Sequence, residues 1–419
     1  MQLLMTALTL AVATGSAFAQ QSPDEAKRLE DLERKVEILS RELEAQKTGS
    51  APPEATDTAY GLGASAAKVY QAKGGLSIGG YGEFLYQSKE NRLQDGTQGV
   101  GEKSLDALRV VLYTGYKFND HLIFNSELEF EHGGYSDEHA EGEAIVEFAY
   151  LDFLLTKSFN VRAGQMLVPM GFINEQHEPP SFLGARHPLV ETYLIPATWH
   201  ENGAGIHGEL PGNLSYRVYV MNGLRGDKFT AEGIADGRQD GNQANAQSLA
   251  WTGRLDWNPL PGTTLGLSFY SGNSNQSGGA SLATTLLDLH GEWRARGLQV
   301  RGLFVRTTLG GAYLQNLGAS DPAREAGTRQ WGGYLEAGYD LLDSGRQALI
   351  PFLRWERFNT QGSVITGVTP LGAGDQSALT AGLNYKPIPN ISVKADFQKV
   401  ENRARTGQNQ FNASLGFFF

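Results

Sequence analysis

The sequence predicts an all-β fold, a sixteen-stranded antiparallel transmembrane β-barrel with an N-terminal α-helical coiled-coil segment ahead of it. Three observations point there. From residue 76 onward the chain breaks into short stretches of alternating apolar and polar residues, the period of a strand with two different faces. The connections between these stretches alternate, long then short, to the last residue, as the outer loops and periplasmic turns of an outer-membrane barrel do. Charged residues fall on one parity of most strands, more than the packed interior of a small soluble barrel accommodates.

Composition excludes several rivals. The 419 residues have a mean hydropathy of −0.33, and no window after residue 20 approaches the ~18 apolar residues of a spanning helix. A net charge of −11 argues against nucleic acid as a partner, because phosphates need a basic face. With 52 glycines, 16 tyrosines and 20 phenylalanines the chain suits a β-rich fold with many turns. The absence of cysteine excludes a disulfide framework and thiolate metal sites without fixing the compartment.

The compartment is read from the first residues. Leu3 to Val12 is an apolar core and Ala17-Phe18-Ala19 a small-x-small cleavage signature, so residues 1–19 read as a secretory signal peptide. Residues 24–47 follow as a periplasmic coiled coil. There Leu29, Leu32, Val36, Leu39 and Leu43 recur at 3,4,3,4 spacing, and Arg28 with Glu33 and Glu42 with Lys47 fall at g and e positions with opposite signs. That is the seam of a parallel coiled coil, a lone amphipathic helix on a surface being the alternative. Fewer than four heptads need a partner that already gathers the chains, as an oligomeric barrel would. Residues 48–75, rich in Pro, Gly, Ala and Ser and without a period, read as a flexible linker running loosely in the periplasm.

Residues 76–419 are the barrel. Strands are predicted over 76–87, 107–118, 121–131, 143–155, 159–168, 203–210, 213–221 and 248–257, then 263–272, 284–294, 298–307, 330–342, 348–358, 376–386, 390–400 and 409–419. Most are close to the ~9–11 residues a tilted bilayer-crossing strand requires. Their faces separate by parity: Val110, Leu112 and Tyr116 oppose Arg109 and Lys117, Phe124, Leu128 and Phe130 oppose Glu127 and Glu129, and Trp251, Leu255 and Trp257 oppose Arg254 and Asp256. Apolar-out and polar-in fits outer-membrane lipid outside and water within. The last strand carries Phe411, Leu415, Phe417 and Phe419 on one face and stops at Phe419, a terminal aromatic that resembles the signal read by the barrel-assembly machinery.

One connection stands apart. Residues 169–202, PMGFINEQHEPPSFLGARHPLVETYLIPATWHEN, are too Pro-broken for a helix or strand and too aromatic for a mobile surface loop, and long loops in compact folds are usually functional. They follow the fifth strand, so they form the third outer loop, expected to fold into the lumen and narrow it. Phe172, Phe182, Tyr193 and Trp199 are its expected anchors. Glu175, His177, Glu178, Arg186, His187 and Glu191 are its expected constriction residues, with Arg186 facing the acids across the opening.

Within the same region RAGQMLVPMGFINEQHEP (162–179) and RHPLVETYLIPATWHENGAGIHGEL (186–210), together with YGEFLYQ (81–87) and EFAYLDF (147–153), resemble the porin family that includes phosphate-selective porins O and P. The resemblance covers roughly residues 76–419. It implies a homotrimer of sixteen-stranded outer-membrane barrels with the third loop inside, and a pore lined by basic residues. Parity places Arg109, Lys117, Arg162, Arg217, Arg254, Arg294, Arg354 and Lys394 inward. Inward acids are more numerous: Glu83, Glu127, Glu129, Glu131, Asp256, Asp288, Glu292, Glu336, Asp340, Glu356 and Asp396. Since charge rings set pore selectivity, such a lumen predicts weak selectivity or a transverse field instead of a phosphate filter.

Other chemistry finds little footing. His177, His187, His200 and His207 gather near the third loop, but no HExxH, tight His-x-His or EF-hand loop is present, so no metal or cofactor is expected. No Ser/His or Asp/His set is spaced for recognition as a catalytic triad, and no catalytic residue is predicted. The sequence therefore predicts a water-filled channel of the bacterial outer membrane for passive diffusion of small hydrophilic solutes or ions. A channel specific for phosphate, another anion or a small organic solute is the first alternative, and a barrel enzyme or adhesin the second.

Overall fold

The computed structural model describes residues 35, 59–133, 142–342 and 345–419. Sixteen strands follow in order: β1 (Gly75–Lys89), β2 (Lys103–Asn119), β3 (Leu122–Glu131), β4 (Glu143–Phe153), β5 (Asn160–Leu167), β6 (His200–Leu210), β7 (Leu214–Asn222) and β8 (Leu249–Trp257). The second half supplies β9 (Thr263–Asn273), β10 (Ala283–Ala295), β11 (Leu298–Gly310), β12 (Arg329–Tyr339), β13 (Ala348–Ser363), β14 (Asp375–Ile388), β15 (Ile391–Asn402) and β16 (Gln410–Phe418). Each strand pairs antiparallel with its sequence neighbour, and β16 returns to β1 to close the barrel. Closure leaves no unpaired edge, the condition a sheet must meet in lipid.

Every predicted strand is present, with ends that differ by a few residues. β2 and β13 run further toward the outer loops than their apolar alternation shows, since those extensions are polar. The hairpin between β10 and β11 turns on Arg296 and Gly297, both with positive φ, the left-handed pair whose twist matches the flanking strands.

Burial follows the predicted parity. Trp251, Trp257, Leu287, Leu289 and Trp355 are exposed on the outer wall, while Glu127, Arg354 and Glu356 are buried inside. One register break matters. Between Glu127 and Leu128 the pairing of β3 shifts from Phe148 to Val146, so Glu147 is an extra residue in β4. It is turned inward and fully buried, a placement that strict alternation does not give.

Two segments fill the interior. The first is the loop between β5 and β6, residues 168–199, in which no residue is exposed. The second corrects an expectation, because the linker 48–75 does not run loosely over its described part. Residues 62–67 are buried within the barrel, and a helical turn follows at Lys68–Gln71. The Ser65 hydroxyl lies 2.5 Å from the Phe419 carbonyl and receives the Gly80 amide at 2.9 Å. Asn125 donates to the Ala66 carbonyl at 2.9 Å, and Tyr70 donates to Asp152 at 2.7 Å. The Ala, Gly and Ser that made this stretch read as a linker are the side chains small enough to let a backbone lie against the inner wall.

The coiled-coil seam of Leu29, Leu32, Val36, Leu39 and Leu43 and the signal segment lie outside the described residues. The helical Lys35 is the one described position of residues 24–47.

Candidate functional site

The loop 168–199 is built as a self-supporting plug before it touches the wall. Asn174 donates to the Val168 carbonyl at 2.6 Å and the Trp199 carbonyl at 2.9 Å, and accepts the Trp199 amide at 2.6 Å. One side chain thus zips the two ends of the loop together. Glu191 accepts the Phe172 and Ile173 amides at 2.7 and 2.8 Å, and the Tyr334 hydroxyl at 2.6 Å. Glu191 is therefore buried at the base of the loop and does not face Arg186 across an opening, which corrects the expected constriction pair. Backbone amides in a Pro-broken loop need acceptors, and a carboxylate between two strands of loop meets that need.

The wall then grips the loop from nearly every side. Asp288 accepts the Gly171 amide, Glu356 the Val190 amide and Asp396 the Ala185 amide. Lys394 donates to the carbonyls of Pro179 and Gly184, Lys386 to that of Pro180, and Arg301 to that of Ser181. Asp288, Glu356, Asp396 and Lys394, inward charges that parity turned toward solutes, are thus spent on loop backbone.

The aromatic anchors behave as expected. Lys394 sits 3.6 Å from the Phe182 ring centre and Arg301 4.7 Å from that of Phe172. Tyr193 stacks on Phe358, and Trp199 packs on Tyr270.

Most other predicted lumen residues are buried and paired. Arg217 bridges Glu175 at 3.0 Å and Asp256 at 2.7 Å, with Arg254 2.8 Å from the same aspartate. Arg162 pairs with Asp152 at 2.8 Å. Arg354 pairs with Glu336 at 3.2 Å and Glu356 at 2.9 Å, and Arg109 with Glu83 at 3.3 Å and Glu129 at 3.7 Å. Lys117 and Arg294 are half-buried; Lys117 pairs with Asp120 at the β2–β3 turn and Arg294 with Glu292. The interior is therefore packed at the level of the loop, where a water-lined opening was expected, because loop and N-terminal segment occupy that space.

Glu178 joins the two plugs, accepting the Ser65 and Ala66 amides at 2.9 and 3.0 Å. A Cβ on Gly63 would fall 2.6 Å from its carboxyl carbon, so only glycine lets the segment pass there. Burial raises the Glu178 carboxyl to about 7. His177 reaches Glu127 at 3.1 Å.

Arg186 and His187 differ from the rest. Both are half-buried. The Arg186 side chain has no ion pair among the described residues, and His187 leaves Nε2 unpartnered against the Phe182 ring.

Sequence reasoning missed Arg301, Glu147 and residues 59–72. Arg301 was legible, since it lies on the inward parity of β11 opposite Glu336. Glu147 needed knowledge of the bulge.

Three kinds of likeness bear on this architecture. A protein of Aquifex aeolicus (strain VF5), described as an uncharacterized protein, is 35% identical over 379 residues, covering 88% of this chain and 85% of that one. Among solved structures, the anion-selective porin from Comamonas acidovorans shares 12% identity at a TM-score of 0.55, with 82% of this chain and 99% of that chain covered. The Salmonella typhi OmpF complex with daunomycin shares 11% identity at a TM-score of 0.56, covering 83% and 98%. At such identities these structures are similar in fold. The family model described as "Putative beta-barrel porin-2, OmpL-like" matches residues 75–419, the whole wall and the lumen loop. The chain belongs to that porin family, and its work is that of a bacterial outer-membrane channel for small solutes.

Proposed function

We propose a passive porin of narrow bore, throttled by the loop 168–199 and by residues 59–72, and passing small hydrophilic solutes or ions with a weak preference for cations. The observation that carries this reading is the filled lumen. The loop has no exposed residue, residues 62–67 are buried, and both segments are tethered to the inner wall, so any path through is thin. Among the described residues, buried acids outnumber buried bases by about two to one, and acidic linings favour cations.

The resemblance to the phosphate-selective O and P porins supports a second reading, a channel for phosphate or another anion. The half-buried Arg186 and His187 are the groups that favour it. Homotrimeric assembly accords with that resemblance and with the heptad seam of residues 24–47, which as a periplasmic coiled coil would gather chains already held by their barrels. Residues 1–19 act as an export signal, and Phe419 with its strand as the mark read by the assembly machinery.

Planar-bilayer recording of the purified full chain across a potassium chloride gradient tests the proposal. Small unitary steps with a reversal potential on the cation side are expected. Saturable block by phosphate would establish the specific reading instead, and a bilayer that stays silent with correctly folded protein would reject both.

A further inference from the structure

We propose that Glu127, Glu147 and His177 form a binding site for a divalent first-row transition ion, such as zinc or manganese, which pins the lumen loop to the barrel wall. One candidate ligand atom from each residue lies within 4.8 Å of the others. His177 Nε2 is 3.1 Å from a Glu127 oxygen and 3.4 Å from a Glu147 oxygen. The three come from three different elements: β3, the bulge of β4, and the loop.

The hydrogen bonding of His177 supports a metal ligand. Its Nδ1 lies 3.1 Å from the Asn174 carbonyl, and a carbonyl only accepts, so Nδ1 carries the proton. In the neutral ring Nε2 then presents a lone pair toward two carboxylates, an arrangement that repels unless a cation lies between them. A backbone carbonyl fixing the far nitrogen is how metal-bound histidines are commonly oriented.

A second observation is independent of the cluster's spacing. Among the described residues, both oxygens of Glu147, both oxygens of the adjacent Glu129 and the second oxygen of Glu127 have no hydrogen-bond partner, and all three residues are at most 1% exposed. Arg109 is the nearby cation, and it is shared between Glu83 and Glu129. Glu127, Glu129 and Glu147 thus have only a share of one guanidinium between them, and buried carboxylates without a counter-charge are strongly unfavourable. A divalent ion would supply that charge and give the unpartnered oxygens something to bind. Imidazole with carboxylates suits the borderline ions of the first row, whereas magnesium or calcium prefer oxygen alone. The rival account is protons, with an imidazolium and carboxylic acids in place of the metal. The site stands whether or not the lumen conducts.

The test uses untagged full-length protein, folded in detergent, stripped with a chelator and titrated with zinc, manganese and cobalt chlorides. About one ion per chain is expected. The cobalt form should show a visible absorption band that His177→Gln abolishes, and Glu147→Gln should weaken binding by at least ~tenfold. Wild-type folded protein that retains no stoichiometric ion overturns the proposal in favour of protons, without reference to any variant. Equal binding by wild type and a folded His177→Gln or Glu147→Gln chain overturns it too, by placing the ion elsewhere.

Discussion

Single carboxylates decide whether the lumen stays filled. Glu191 is the acceptor for two loop amides and the Tyr334 hydroxyl. Its removal in Glu191→Ala strands three buried donors at ~1–3 kcal/mol each before relaxation. The wall strands do not depend on it, so the variant should keep its barrel and lose its plug. Unitary conductance should rise, and trypsin should nick the chain after Arg186, a site protected in the parent. Glu178 gives the matching prediction for pH. Burial holds its carboxyl at about 7 against an ordinary 4.5. The folded chain therefore keeps a proton that the unfolded chain releases. Its contribution to stability is present in full below pH ~4.5, falls as pH rises toward ~7, and is constant above that. Protection of the Ser65 and Ala66 amides, measured by hydrogen exchange and corrected for intrinsic rate, should decline across this window. In Glu178→Gln that decline should vanish.

Elements differ in how plainly the sequence announces them. A strand with lipid on one side and a polar lumen on the other must alternate, and β3 and β8 do so in Phe124-to-Phe130 and Leu249-to-Trp257 apart from the small residues Ser126 and Gly253 on the outward parity. Loop length then gave topology, because tight turns such as Arg296-Gly297 and long connections such as 168–199 cannot exchange places. Parity failed where a bulge resets it, so Glu147 was invisible as an inward acid. It failed differently for residues 59–72, whose Ala-Gly-Ser composition serves equally for a loose linker and for a backbone pressed against a wall. What separates the two is Tyr70, 2.7 Å from Asp152 and 3.1 Å from Arg162, and partners on distant strands leave no local pattern. If this segment throttles the lumen, deleting residues 59–72 should enlarge the unitary conductance while the barrel persists. Tyr70→Phe, which removes only the hydroxyl, should produce a smaller change of the same sign. An unchanged conductance in the deletion would place the narrowing in the loop 168–199 alone.

For the whole molecule the question is which charges a passing ion meets. The interior carries many, yet Arg162, Arg217, Arg254 and Arg354 are each locked to carboxylates within 3.2 Å and are buried. A paired, buried charge presents little field to water in the path, so a tally of inward residues overstates both the anion-binding and the cation-binding character of the pore. The acid excess nonetheless sets a mild negative background. Against it Arg186 is half-buried and without an ion pair among the described residues, so no paired carboxylate cancels its field. It follows that Arg186 should work against the cation preference. Arg186→Gln should move the reversal potential in a salt gradient further to the cation side, and Arg186→Glu further still, with conductance nearly unchanged because the loop is held through the Arg186 backbone carbonyl and not its guanidinium. Lys394→Gln provides the contrast. Its ammonium is committed to the carbonyls of Pro179 and Gly184, so its loss should loosen the loop and raise conductance with little change in ion preference. A shift in selectivity from Lys394→Gln equal to that from Arg186→Gln would mean that buried and half-buried charges count alike, and the lumen would then be wetter than its packing implies.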